Sequence, residues 1–134
     1  MASLAVVDTN ILVSALLKRG SIPDRVALAI RDGICLPVVC AEIVDEYTDV
    51  LRRPRFGFLE RDVTEILDLF AAQARWVRIT PYLPVLKLPD PADWPFIAAA
   101  LAADCPVITG NVRHFPQRIG VQVMTAKQWV EHAR

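Results

Sequence analysis

The sequence predicts a three-layer α/β/α domain, in which helices cover both faces of a central, mainly parallel sheet. Short apolar runs typical of strands alternate with longer segments that carry apolar residues at helical spacing. The first run, residues 4–7, is wholly apolar, which is typical of a strand buried on both faces of a parallel sheet. No repeat, low-complexity tract or linker interrupts the 134 residues, so we expect a single domain over residues 1–134.

The elements are predicted in a regular order along the chain. Strands are expected at residues 4–7, 34–39, 76–79, 106–109 and 121–124, and helices over residues 9–19, 21–33, 41–53 and 61–74, with two more starting near Asp90 and after Thr125. Gly20 and Gly33 follow the first two helices, and Pro54 ends the third. Pro37 makes the second strand irregular or places it at an edge of the sheet.

Composition narrows the classes of function. Fifteen basic and fifteen acidic residues give a formal net charge of zero, so any binding to nucleic acid depends on local clusters. No apolar run approaches the ~20 residues that span a bilayer. The N-terminus lacks the features of a secretory signal, so we expect a cytoplasmic protein without a membrane partner. Three cysteines without CxxC spacing, Cys35, Cys40 and Cys105, are expected to be buried thiols.

Three carboxylates stand where strands end or helices begin. Asp8 follows the first strand, at the end where open α/β sheets bind ligands. Glu46 is the acid of the third helix nearest its apolar stripe, and Asp93 shares the apolar stripe of the helix that follows it. Asp8 and Asp90 also have a purely structural interpretation as helix N-caps. At one sheet edge, Asp8, Glu46 and Asp93 would repel one another unless a divalent cation neutralised them, and oxygen ligands suit Mg²⁺ or Mn²⁺.

Two basic clusters are candidates for contact with phosphate. One contains Arg52, Arg53 and Arg55, and the other contains Arg113, His114 and Arg118. Each cluster has an equally simple interpretation as a solvated helix end or loop.

Four segments resemble the PIN domain family, and more narrowly the bacterial PIN proteins that are toxin components of toxin–antitoxin systems, relatives of the VapC-type toxins. They are residues 8–15, residues 46–54, residues 90–93 and residues 109–111, which occur in the expected order over nearly the whole chain. The resemblance implies a PIN-like α/β/α fold and an endoribonuclease that depends on Mg²⁺ or Mn²⁺. It also implies an RNA substrate and a cognate antitoxin protein, and a homodimer is compatible with it.

Individual roles follow from the same resemblance. Asp8, Glu46 and Asp93 match acids of the family's metal site and are the expected catalytic residues. Asn10 matches a polar helper beside the first acid, and Thr109 matches the family's usual serine or threonine.

The chain departs from the family pattern at one point. Many relatives carry a further aspartate at or shortly after the position of Asn111, whereas this chain offers Asn111 and His114. Either side chain can bind Mn²⁺ but brings less negative charge, so a weaker second metal position is expected. As a simple loop residue, His114 would instead hydrogen-bond backbone or meet phosphate, and we favour this interpretation over metal binding.

Two functions therefore remain open at the level of sequence. The preferred one is a metal-dependent endoribonuclease in which a metal-activated water attacks the phosphodiester. The alternative is a catalytically impaired PIN-fold module that binds a protein partner, which the neutral net charge and the missing acid would explain.

Overall fold

Five strands and six α-helices occur along residues 2–133, the part of the chain that the computed structural model describes. The strands are β1 (Ser3–Val7), β2 (Cys35–Val39), β3 (Arg75–Trp76), β4 (Val107–Ile108) and β5 (Val123–Met124). The helices are α1 (Thr9–Leu17), α2 (Ile22–Arg31), α3 (Ala41–Leu51), α4 (Glu60–Gln73), α5 (Trp94–Ala103) and α6 (Ala126–His132).

The strands form one sheet in the order β3-β2-β1-β4-β5, and every neighbouring pair is parallel. The predicted fold class, a three-layer α/β/α domain, is confirmed. The chain builds the sheet outward from β1 through β2 to β3, then returns to add β4 on the other side of β1. The point where the order reverses lies between the carboxyl ends of β1 and β4, which is where sheets of this kind bind ligands.

Helices and sheet share one contiguous core. Ala5, Val6 and Val7 of β1 are fully buried, as the apolar run predicted. Helix α5 packs against β1, β2 and β4, whereas α2 packs against β2 and against the helices α1, α4 and α6. Tyr47 of α3 is also buried, with its ring against Phe70 of α4 and Phe96 of α5. This packing fixes α3 beside the carboxyl end of β1.

The second strand is interior, so the edge position proposed for it because of Pro37 is wrong. Pro37 pairs in register with Ala5 of β1, and β3 joins on the other side only at Val38 and Val39. Pro37 therefore lies before the residues that pair with β3, so the N–H that proline lacks is not needed for a hydrogen bond to that strand. The edge strand on this side of the sheet is β3, which is shorter than predicted and ends at Trp76.

The proline-rich connection between β3 and α5 is held by specific hydrogen bonds. Trp94 Nε1 donates to the carbonyl of Thr80 at 2.7 Å, and the backbone N–H of Leu88 donates to the Tyr82 hydroxyl at 3.2 Å. The guanidinium of Arg118 donates to the carbonyls of two further residues of this connection, at 2.7 and 3.0 Å. The start of α5, where candidate acids lie, is thereby tied to the rest of the fold.

The three cysteines are free thiols. Cys35 and Cys40 are buried as predicted, whereas Cys105 is only half-buried. Burial raises the pKa of Cys35 to about 12 and that of Cys105 to about 11, so both stay protonated and unreactive at neutral pH. Within residues 2–133, every helix is too short or too polar to cross a bilayer.

Candidate functional site

Asp8 lies at the carboxyl end of β1 and is held there by three donors. Its Oδ2 accepts hydrogen bonds from the Thr109 hydroxyl at 2.7 Å and from Asn10 Nδ2 at 3.2 Å, and its Oδ1 accepts one from the backbone of Thr9 at 2.8 Å. Only 7% of Asp8 is exposed. One oxygen thus caps α1 and the other contacts the end of β4, so the capping interpretation and the site interpretation both apply.

The turn after β4 is coupled to the start of α1 through Asn10. Asn10 Oδ1 accepts a hydrogen bond from the backbone of Gly110 at 3.1 Å, while its amide nitrogen contacts Asp8. The backbone N–H of Asn111 donates to the Thr109 hydroxyl at 2.9 Å. Thr109 is completely buried, so its hydroxyl accepts one bond and donates another without competition from water. The two strand ends are therefore locked together around the carboxylate of Asp8.

Glu46 faces this cluster from α3. Its Oε2 accepts a hydrogen bond from the Thr9 hydroxyl, and the neighbouring Tyr47 hydroxyl donates to the carbonyl of Val7. Asp45 is exposed. The helical spacing therefore identified the acid of α3 that leans toward the sheet.

The start of α5 adds two acids and a histidine. His114 Nδ1 lies 3.2 Å from Asp93 Oδ2, and one ligand atom each from Asp90, Asp93 and His114 lie within 4.8 Å of one another. Asp93 is well covered, with 14% of its side chain exposed. His114 was expected to contact backbone or phosphate, and it instead contacts a carboxylate, which its position in a loop could not indicate.

Asp90 was assigned only as a cap, and it does cap, because its Oδ1 accepts a bond from Ala92 at 3.0 Å. Its approach to Asp93 and His114 is the part that sequence reasoning missed. Two acids three residues apart in one helical turn were the available signal. We call Asp8, Glu46, Asp90 and Asp93 the acid cluster.

The carboxylates of the acid cluster repel one another. Burial raises the pKa of Asp8 and of Glu46, and the charge of Asp8 raises that of Glu46 further. Burial, followed by the charges of Asp8 and Asp90, raises the pKa of Asp93 from 3.8 to about 6. The four carboxylates therefore share one electrostatic neighbourhood, although within residues 2–133 Asp8 and Glu46 lie outside the tight group formed with His114.

The arginines proposed to contact phosphate differ in what they contact, and Arg118 already donates to backbone carbonyls. Arg52 binds Glu60 at 2.7 Å, and Arg53 binds Asp49 at 3.0 Å. Arg113 is exposed on a short 3₁₀ turn that ends at His114. Arg53 is near enough to the acid cluster for its charge to lower the pKa of Glu46. The first two arginines are thus engaged at the outer end of α3.

The donor set fits a divalent cation. Carboxylate oxygens dominate, hydroxyl and amide groups accompany them, and burial has raised the pKa of three acids, among which only Glu46 is acted on by a nearby arginine, Arg53, in the described part of the chain. A hard cation would relieve this repulsion, and oxygen donors are the ligands that Mg²⁺ and Mn²⁺ prefer. The histidine nitrogen is compatible with Mn²⁺ as well.

Acids gathered at the switch point of a parallel sheet define an α/β fold with a candidate metal site. A family model described as PIN domain matches residues 5–113, which is most of the chain, and the protein belongs to this family. PIN domains are generally nucleases and typically bind divalent metals. No curated protein matches the chain.

Proposed function

We propose that this protein is a metal-dependent endoribonuclease. The observation that carries the proposal is Asp8, which is buried between the ends of β1 and β4 and whose charge raises the pKa of both Glu46 and Asp93. Such a site does not stabilise the protein, because burying several acids together lowers the free energy of unfolding. A bound cation would offset this loss of stability, so a role in binding a cation explains the cluster.

Each residue has a role in the proposed site. Asp8, Glu46 and Asp93 would hold Mg²⁺ or Mn²⁺, with Asp90 and His114 beside them. When bound, the cation supplies a Lewis acid for the phosphodiester and an activated water for its hydrolysis.

Other side chains act by positioning the ligands. Thr109 and Asn10 fix the rotamer of Asp8, and Thr9 orients Glu46. These hydrogen bonds set the carboxylate oxygens before the cation arrives, so less reorganisation is needed on binding.

RNA is the substrate proposed, by the family resemblance. A single strand or a loop would enter more readily than a duplex, because unstacked nucleotides can be admitted to a cleft. The biological role that follows is the toxin of a cytoplasmic toxin–antitoxin pair, in which a cognate antitoxin covers the acid cluster. Growth arrest on expression of this protein, relieved by co-expression of the antitoxin, is the expected phenotype.

The test is the cleavage of RNA by Asp8→Asn. The substitution removes the charge but keeps the size, so cleavage in Mg²⁺ or Mn²⁺ should be lost while the circular dichroism spectrum stays native. Asp68→Asn on α4 is the matched control, because Asp68 is exposed and far along the chain from the cluster. Cleavage by Asp8→Asn at the rate of the control would refute the proposal.

The alternative, a PIN-fold module that only binds a protein, is favoured by one observation: His114 stands beside Asp93 where many relatives carry an acid. Thermal unfolding with added metal distinguishes the two functions. A nuclease should be stabilised at millimolar Mn²⁺, because a ligand that binds only the folded state adds to the free energy of unfolding. An impaired module should show no such shift.

A further inference from the structure

We propose that the groove between the starts of α1, α2 and α6 binds the nucleotide next to the cleaved phosphodiester, with Lys127 contacting its phosphate. We call it the Lys127 groove. Its volume is about 370 Å³, within the range of small-molecule sites. This inference rests on the proposed function, and it adds a substrate-binding surface outside the acid cluster.

The Lys127 groove is separated from Asp8 only by residues that are hydrogen-bonded to Asp8. Asn10 and Thr109 line it, and both donate hydrogen bonds to Asp8 Oδ2. Asn111 lines it too and continues the turn that ends β4. An RNA strand whose phosphodiester lies at the acid cluster would therefore place an adjoining nucleotide in this groove.

Charge favours this side of the acid cluster for a nucleic acid. No aspartate or glutamate lines the Lys127 groove, and Lys127 is exposed and forms no ion pair within residues 2–133. A second groove, of about 390 Å³, lies beside the start of α5 and is lined by Glu42 and Trp94 but, among residues 2–133, by no basic residue. A phosphate backbone would be repelled there and attracted on the Lys127 side.

The lining also suits an unstacked nucleotide. Ile22 and Pro23, at the start of α2, form an apolar wall, and Ile22 is 38% exposed although its side chain is large and hydrophobic. Ser14 and Asn111 line the same groove, and neither side chain makes a hydrogen bond within the described part of the chain. Proteins hold an unstacked base between aromatic or apolar side chains and hydrogen-bond its edges, and here Ile22 and Pro23 supply the apolar surface and Ser14 and Asn111 the polar groups.

The experiment compares Lys127→Ala with Lys18→Ala. Both lysines are exposed. Lys127 lies on α6 and Lys18 at the end of α1, and only Lys127 lines the groove. Binding of a fluorescein-labelled single-stranded RNA is measured by anisotropy in EDTA, where no metal-dependent cleavage occurs, over a series of salt concentrations. Steady-state cleavage in Mn²⁺ is measured separately.

One phosphate contact in a single strand releases about 0.7 counterion, so Lys127→Ala should weaken binding about fivefold at 0.1 M salt and lower the salt slope by about 0.7. KM should rise by a similar factor with kcat unchanged, because the contact is the same in the ground state and the transition state. Lys127→Arg should restore both values, and Lys18→Ala should resemble the wild type.

Equal effects of Lys127→Ala and Lys18→Ala, or no change in salt slope for Lys127→Ala, would overturn the inference. Such a result leaves the nuclease proposal standing if the wild type cleaves RNA with Mn²⁺. A wild type that fails to cleave RNA overturns the nuclease proposal itself, and this outcome is seen before any lysine variant is compared.

Discussion

Replacing Asp93 by asparagine should stabilise the metal-free protein at neutral pH. The pKa of Asp93 is raised from 3.8 to about 6 by burial and by the charges of Asp8 and Asp90. The folded protein binds the proton more tightly than the unfolded chain does, so the free energy of unfolding falls as pH rises from 3.8 to about 6. Above this range the full penalty remains, and the difference in pKa corresponds to about 3 kcal/mol.

Asparagine removes the charge and keeps the local contacts. Asp93 makes no side-chain cap bond at the start of α5, so no cap is lost, and an amide oxygen can still accept a hydrogen bond from His114. For a domain of this size, about 3 kcal/mol corresponds to a rise in Tm of about 10 °C.

The assay is thermal unfolding in EDTA at about pH 7.5 and at about pH 4.5, on either side of the raised pKa. The gain in Tm for Asp93→Asn should be large at the higher pH and small at the lower one. Asp68→Asn, an exposed acid on α4, should change little at either pH. With added Mn²⁺ the order should reverse, because the wild type keeps a ligand that the variant lacks. A variant no more stable than the wild type in EDTA at neutral pH, or equally stabilised at both pH values, would refute the reasoning.

Three further predictions concern single hydrogen bonds and one ion pair. Thr109→Val should lower the free energy of unfolding by about 2 kcal/mol in urea titrations, because a buried donor to the Asp8 carboxylate is lost; an unchanged midpoint would contradict it. Tyr47→Phe should cost about 1 kcal/mol by the same measurement, since its hydroxyl donates to a buried carbonyl of β1, and a neutral result would mean that this bond is unimportant. Arg52→Ala should change RNA affinity by less than twofold, because Arg52 is already bound to Glu60. A larger loss of affinity would indicate that Arg52 contacts the RNA.

Much of the site could be predicted from local patterns. Asp8 was identified because an apolar run ends at it, and Glu46 because 100° per residue places it beside the apolar stripe of α3. Both side chains lie near the carboxyl end of β1, and the charge of Asp8 raises the pKa of Glu46 and of Asp93. Their assignment as metal ligands stays a prediction.

The contact of His114 could not be predicted in the same way. The residue lies in a 3₁₀ turn without hydrophobic periodicity, and its partner Asp93 is 21 residues earlier in the chain. Nothing local distinguishes a histidine that contacts solvent from one that contacts a carboxylate. The edge position proposed for β2 because of Pro37 was wrong for a related reason, since the pairing of β2 depends on where β3 joins the sheet.

The amino-acid sequence alone determined the alternation of strands and helices, the burial of β1 and which acid of α3 faces inward, because periodicity and capping are properties of neighbouring residues. Only the tertiary structure decided that Thr109 donates to Asp8 across 101 residues, that Asp90 joins Asp93 and His114, and that an acid-free groove opens beside them. These contacts arise from the order in which the strands pair, and that order reflects packing of the whole core rather than any short stretch of chain.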